Sequence, residues 1–166
     1  MQRHCIAAPL LLLSTLACTQ FIPERAQNDE MPIAQSEEPA LRRATEKAQA
    51  TLDDFLTKAK QPPAGTSSYA LKVRIQEGRD TEYFWVEEFT WSDGSFTGRI
   101  NNEPRLVKSI QLGQIHKFSR SQVADWKYLD EKNGKTFGNF TACALLSNEP
   151  PAQAEEIKRR DGLDCS

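Results

Sequence analysis

The chain has little histidine and little cysteine: two and four residues in 166. Only His116 lies beyond the first seventeen residues, and neither Cys-x-x-Cys nor His-x-x-x-His spacing occurs. Zinc and related metals need converging imidazoles or thiolates, so no metal and no other cofactor is expected. An all-carboxylate site from Glu82, Glu87, Glu88 and Asp93 fares no better. In a strand Glu82 and Glu88 share one face while Glu87 and Asp93 share the other, which reads as a solvated acidic edge. A basic excess is missing too. The 21 Lys and Arg face 23 Asp and Glu, a formal charge of −2, which leaves no positive field for nucleic acid. A nucleophile elbow is lacking as well: in Gly94-Ser95-Phe96-Thr97-Gly98 the serine stands one place early and lies between strands.

No apolar run has the length needed to cross a bilayer. The longest, from Ile6 to Leu16, follows Arg3 and has the layout of a secretory signal. Ala17-Cys18 then stands where a bacterial lipoprotein signal is cut and the cysteine acylated, so Cys18 is the expected lipid anchor. Thr19, rather than Asp, directs such a protein to the outer membrane, facing the periplasm. The alternative is an ordinary signal cut after Ala17, leaving a soluble periplasmic chain. Removal of residues 1–17 takes Arg3 and no acid, and the charge becomes −3. Cys143 and Cys165 are then the remaining pair. In an oxidising compartment they read as one disulfide, worth about 3 kcal/mol for a loop of that length; two unpaired thiols are the alternative.

Residues 18–36 hold two prolines and no periodicity, and are expected to be a flexible linker. From residue 37 to 166 the pattern is that of one domain. Leu41, Ala44, Ala48, Leu52, Phe55, Leu56 and Ala59 recur at steps of three and four, which predicts one long helix, capped by Ser36 and ended by Pro62-Pro63. Tyr69, Leu71, Val73 and Ile75 alternate with Ala70, Lys72, Arg74 and Gln76, a strand with the second set outward. Two further strands meet at Ser92-Asp93-Gly94-Ser95. Short strands are predicted at 105–112, 115–118, 126–129 and 137–146, with a turn at Asn133-Gly134. Ser119 and Gln122 are spaced as a capping box, and 152–160 favours helix. The fold class is α+β: an N-terminal helix on a curved, mostly antiparallel sheet or partly closed small barrel, with a short C-terminal helix.

Aromatics crowd residues 83–96. Phe84 and Val86 point one way, and Tyr83, Trp85, Phe89 and Trp91 the other. That predicts a strand sandwiched between a helix and curled strands. Asn101, Asn102 and Glu103 before Pro104 form a turn able to present amides to a ligand. With Trp91, Asp125 and Trp126 they make the candidate binding surface. Each has a structural reading beside the functional one: turn formation for the asparagines, backbone capping for Asp125, inward packing for Trp126. An enzyme using Glu103 and His116 is the remaining catalytic alternative; no catalytic residue is assigned.

Residues 40–146 resemble the YegJ-like bacterial family, known as domain of unknown function 2314. The resemblance is carried by ATEKAQATLDDFL, LKVRI, EYFWVEEF, FTGRINNEP, VKSIQLGQ, VADWKYLD and GNFTACALL. It implies a shared fold and brings no settled activity. One departure from the family's pattern stands at Cys143, and it fits an exported member that carries a disulfide. The expectation is a membrane-tethered envelope lipoprotein that binds an envelope protein or ligand without catalysis. Its alternative is an inhibitor or immunity protein against an envelope-directed toxin or hydrolase. Oligomeric state is left open.

Overall fold

The computed structural model describes residues 39–166. The signal segment, Cys18, the linker and the Ser36 cap lie outside the described residues.

The apolar stripe does build helix, in two pieces: α1 Pro39–Ala50 and α2 Leu52–Lys60. Leu41, Ala44, Ala48, Leu52, Phe55 and Leu56 are all buried on it. The one long helix expected is interrupted at Thr51, where a buried indole intrudes. Trp126 Nε1 donates to the Ala48 carbonyl at 3.1 Å and to Thr51 Oγ1 at 3.2 Å. A side-chain donor inserted into the i→i−4 ladder interrupts a helix at that point.

Six antiparallel strands follow: β1 Thr66–Glu77, β2 Asp80–Ser92, β3 Ser95–Ile100, β4 Ile115–Ser119, β5 Val123–Asp130 and β6 Lys135–Gly138. Their order is β4-β3-β2-β1-β5-β6. The sheet is open, with β4 and β6 as its edges, so the barrel alternative falls and the α+β class stands. The β2–β3 turn has Asp93 and Gly94 at φ of 53° and 74°, the pair of left-handed residues that matches strand twist. The Ser119–Gln122 capping box closes around a single 3₁₀ turn, Arg120–Gln122.

Two expected strands are not strands. Residues 105–112 lie in the β3–β4 loop, where carboxylate side chains take backbone N–H groups that a neighbouring strand would have taken. Of 137–146 only the first two residues extend. Gly138 and Asn139 then adopt φ of 80° and 50° and turn the chain into α3, Phe140–Leu146. A Cβ at position 138 would meet the Trp126 carbonyl oxygen at 2.2 Å, so glycine is required there. Cys143 therefore sits on a helix. After α4, Pro151–Arg160, the tail returns and Cys165 is joined to Cys143 by a disulfide, Cα to Cα 5.6 Å. The same tail lies along β6. Thr136 N donates to Gly162 O at 2.7 Å and Asp164 N to Thr136 O at 3.0 Å.

One sheet face carries the main core. Leu71, Val73, Phe84, Val86 and Trp126 pack there with Phe55 and Leu56, the Phe55 and Trp126 rings 5.0 Å apart. The other face is covered as well, so Ala70 and Lys72, expected outward, are fully buried. Its cover is helical rather than curled strands: Leu41 of α1 and Ala144 and Leu145 of α3 meet Tyr83 and Ala124. Strand β2 changes parity part-way. Its register with β3 slips between Glu87 and Thr90, and Glu88 takes φ 48°. That bulge turns Phe89 and Trp91 onto the Phe84–Val86 face, away from Tyr83 and Trp85.

The bridge closes the β6–α3–α4 unit. Replacing both cysteines by serine is expected to lower unfolding free energy by about 3 kcal/mol in denaturant titrations, with faster amide exchange at Thr136.

Candidate functional site

Strand β2 has 13 residues and β3 only 6. Beyond Val86, which pairs with Ile100, the first half of β2 has no strand on that side. The β3–β4 loop, residues 101–114, supplies what is missing. Asn101 N donates to the Trp85 carbonyl at 2.8 Å, and Asn102 Oδ1 accepts from Trp85 N at 2.7 Å. One side-chain amide thus stands in for a strand carbonyl.

Deeper along the edge, Glu82 holds the loop from beneath. It is 3% exposed. Its Oε1 accepts from Arg105 N at 2.8 Å, and its Oε2 from Leu106 N at 3.0 Å and Val107 N at 2.9 Å. Glu77 Oε2 takes the next N–H, Lys108, at 2.7 Å. That bond, with Ser109, holds the Glu77 carboxyl below its ordinary range. So braced, the loop drives Val107 and Ile110 into the core and leaves Leu106 and Leu112 in water. Ile115, at the start of β4, is exposed beside them in sequence.

On the opposite sheet face a polar row crosses three strands: Trp85, Lys72 and Asp125 are register partners on β2, β1 and β5. Lys72 and Asp125 are fully buried, as is Thr141 above them on α3. Asp125 Oδ2 accepts from Thr141 N and Oγ1, both at 2.7 Å, and Oδ1 from Trp126 N at 2.8 Å. Lys72 Nζ reaches Thr141 Oγ1 at 3.4 Å and lies 5.3 Å from the Trp85 ring centre, with Lys127 Nζ at 4.1 Å. Burial pushes the Asp125 carboxyl above its ordinary range, against the opposing pull of Thr141, Lys72 and Trp126 N. Chemically this is a fastening: it seats the first turn of α3 on the sheet.

The six residues of the candidate surface do not form one surface. Asn101 and Glu103 are exposed and Asn102 half-buried, all in the braced loop. Trp91 packs on Phe89 and Phe96, with ring centres at 5.9 and 6.4 Å. Asp125 and Trp126 are buried, one under α3 and the other against Phe55. His116 of β4 lies beside Phe118, and burial lowers its pKa, which favours the neutral imidazole. Among the described residues no cluster of three His, Cys, Asp or Glu is placed to hold a metal. Glu82 and Lys72 are the important groups that sequence reasoning missed. Glu82 had a signal: it shares strand parity with Phe84 and Val86, the core face.

Two outcomes follow from this geometry. Glu82→Gln keeps one acceptor oxygen but sets an amide N–H against backbone N–H groups. It should cost about 2–3 kcal/mol in stability and speed amide exchange at Arg105 to Val107. For Asp125 the folded pKa lies above the unfolded one. The stability it contributes is therefore present below the ordinary aspartate value, about 3.9, and is lost as pH rises through the raised value. Relative to Asp125→Asn, the wild-type unfolding free energy should fall across that window in denaturant titrations. Parallel curves for the two proteins would contradict it.

The comparisons agree with the resemblance carried by these motifs. A family model described as "Uncharacterized protein conserved in bacteria (DUF2314)" matches residues 38–165. The chain is 31% identical over 121 residues to "Uncharacterized protein YegJ" of Escherichia coli (strain K12), covering 73% of this chain and 76% of that one. No solved structure matches it. The described domain, with its braced NNEP loop and buried Asp125, belongs to the DUF2314 family.

Proposed function

We propose that the chain is a membrane-tethered envelope lipoprotein serving as a non-enzymatic binding module, anchored through Cys18 and facing the periplasm from the outer membrane. One observation carries the binding role. The large hydrophobics exposed among the described residues are Leu106, Leu112 and Ile115, at 47, 49 and 54%, and all fall within ten residues of chain. Leu106 and Leu112 stand on the loop braced by Glu82, Glu77 and Asn102, and Ile115 opens the strand β4 that follows it. Apolar side chains kept in water on a fixed support are what a docking surface needs. Glu82, Asn102 and Asp125 are committed to backbone N–H groups, which favours binding over catalysis. The Arg3, Ile6–Leu16 and Ala17-Cys18 layout supports the tether, and the disulfide supports an oxidising compartment.

The test is a photo-crosslinking residue in place of Leu112 in the full chain, expressed with its own N-terminus in bacterial cells. The chain should fractionate with membranes, release on Cys18→Ser, and capture one envelope partner in a fixed ratio. A captured toxin or hydrolase would assign inhibition. Capture of nothing would remove the binding reading, and membrane retention with lipid label in Cys18→Ser would remove the tether.

A further inference from the structure

The two edges of the sheet are finished differently. Strand β6 is covered by residues 162–164 of the tail, through the Thr136 hydrogen bonds. Among the described residues strand β4 pairs with β3 alone. Hydrogen bonds at both ends of that pairing set which way its backbone faces. Ile100 N donates to Gln114 O at 2.9 Å, and Arg120 N to Gly94 O at 3.2 Å. Antiparallel ladders alternate between such points, so His116 and Phe118 turn their backbone groups toward β3. Ile115, Lys117 and Ser119 turn theirs outward. The Ser119 N–H is taken by Gln122 Oε1 at 2.9 Å, which closes the edge at that end. The outward groups of Ile115 and Lys117 meet no partner among the described residues.

Side chains at these two positions stand on one face, because they are two residues apart. Among the described residues Ile115 is the most exposed of the large hydrophobics, and Lys117 is an exposed cation with no ion pair. Between Glu103 and Asp125 the chain has Arg105, Lys108, Lys117 and Arg120 and no acid. Arg120 is already held by Asp53 at 2.6 Å. Pairing β4 with β4 of a second copy would crowd two Lys117 ammonium groups into one short ribbon, and like charges there repel. A lipid surface offers acceptor oxygens but no extended backbone whose N–H and C=O groups alternate at strand spacing.

We propose that β4 is a docking edge for an extended segment of a partner protein, one that carries an apolar residue and a carboxylate two positions apart. The segment adds a seventh strand: its backbone pairs with Ile115 and Lys117, its apolar residue covers Ile115, and its carboxylate meets Lys117. The proposal rests on the binding-module reading and names the chemistry of the partner.

The test uses the mature chain, residues 18–166 with Cys18→Ser, and end-capped peptides Thr-Glu-Thr-Val-Thr and Thr-Val-Thr-Glu-Thr, which cover both strand directions. At saturating peptide, one of them should slow hydrogen exchange at the Ile115 and Lys117 amides by about fivefold or more. Lysine in place of the peptide's glutamate should abolish the effect, and Lys117→Glu in the protein should transfer the preference to the lysine peptide. Unchanged exchange at these amides, or equal slowing by both kinds of peptide, would overturn the proposal. So would slowing that appears with protein concentration alone, which would assign the edge to a second copy. Partner capture through position 112 with these two amides unmoved would overturn strand docking and leave the binding-module reading standing.

Discussion

Strand β2 is about twice as long as β3, its partner on one side, and on that side its surplus half must have its backbone hydrogen bonds completed by something other than a strand. The loop that does so has no regular structure, yet it is bound as closely as a strand would be. An asparagine amide replaces one carbonyl, and one buried carboxylate gathers three consecutive N–H groups. Geometry of this kind decides which loop side chains face inward. Val107 and Ile110 join the core cluster that holds Phe96 and Phe118, and their neighbours Leu106 and Leu112 stay exposed.

The second face is governed by charge instead. Putting Lys72 and Asp125 beneath α3 is costly, since each ion gives up its water. That cost is offset by bonds available in one arrangement only: Thr141 over Asp125, and Trp85 beside Lys72. A short helix of 7 residues has little intrinsic stability. Here its first turn is fastened to the sheet by Asp125 and its middle to the tail by Cys143. The polar row and the disulfide together place an element that propensity alone would not hold.

Much of this was legible in the chain. The helical stripe, the β1 and β2 strands, the Asp93-Gly94 hairpin and the Ser119–Gln122 box follow from local patterns, and local physics decides them. The failures are places where a distant group intervenes or where one residue takes a left-handed conformation that alternation does not encode. Trp126 breaks the first helix from 75 residues away. Lys72 looks outward until α3 covers it, and Glu88 reverses the parity of Phe89 and Trp91 through a bulge that alternation cannot show. Residues 105–112 alternate enough to suggest a strand, but their hydrogen bonds go to Glu82 and Glu77. Of the candidate surface, the Asn101–Glu103 turn kept an accessible position and Trp91 is half-buried. Asp125 and Trp126 took the structural role weighed beside the functional one.

The tail over β6 has a consequence for how copies of this protein meet one another. A sheet with one free edge terminates any chain of strand additions after a single step, whereas two free edges permit head-to-tail growth without end. The tail that blocks the second edge is joined to α3 through Cys165. The disulfide, with the Thr136 hydrogen bonds and the Lys135–Asp164 ion pair, holds the tail in that place. A covered β6 edge leaves the sheet one edge for strand addition rather than the two that a fibre needs.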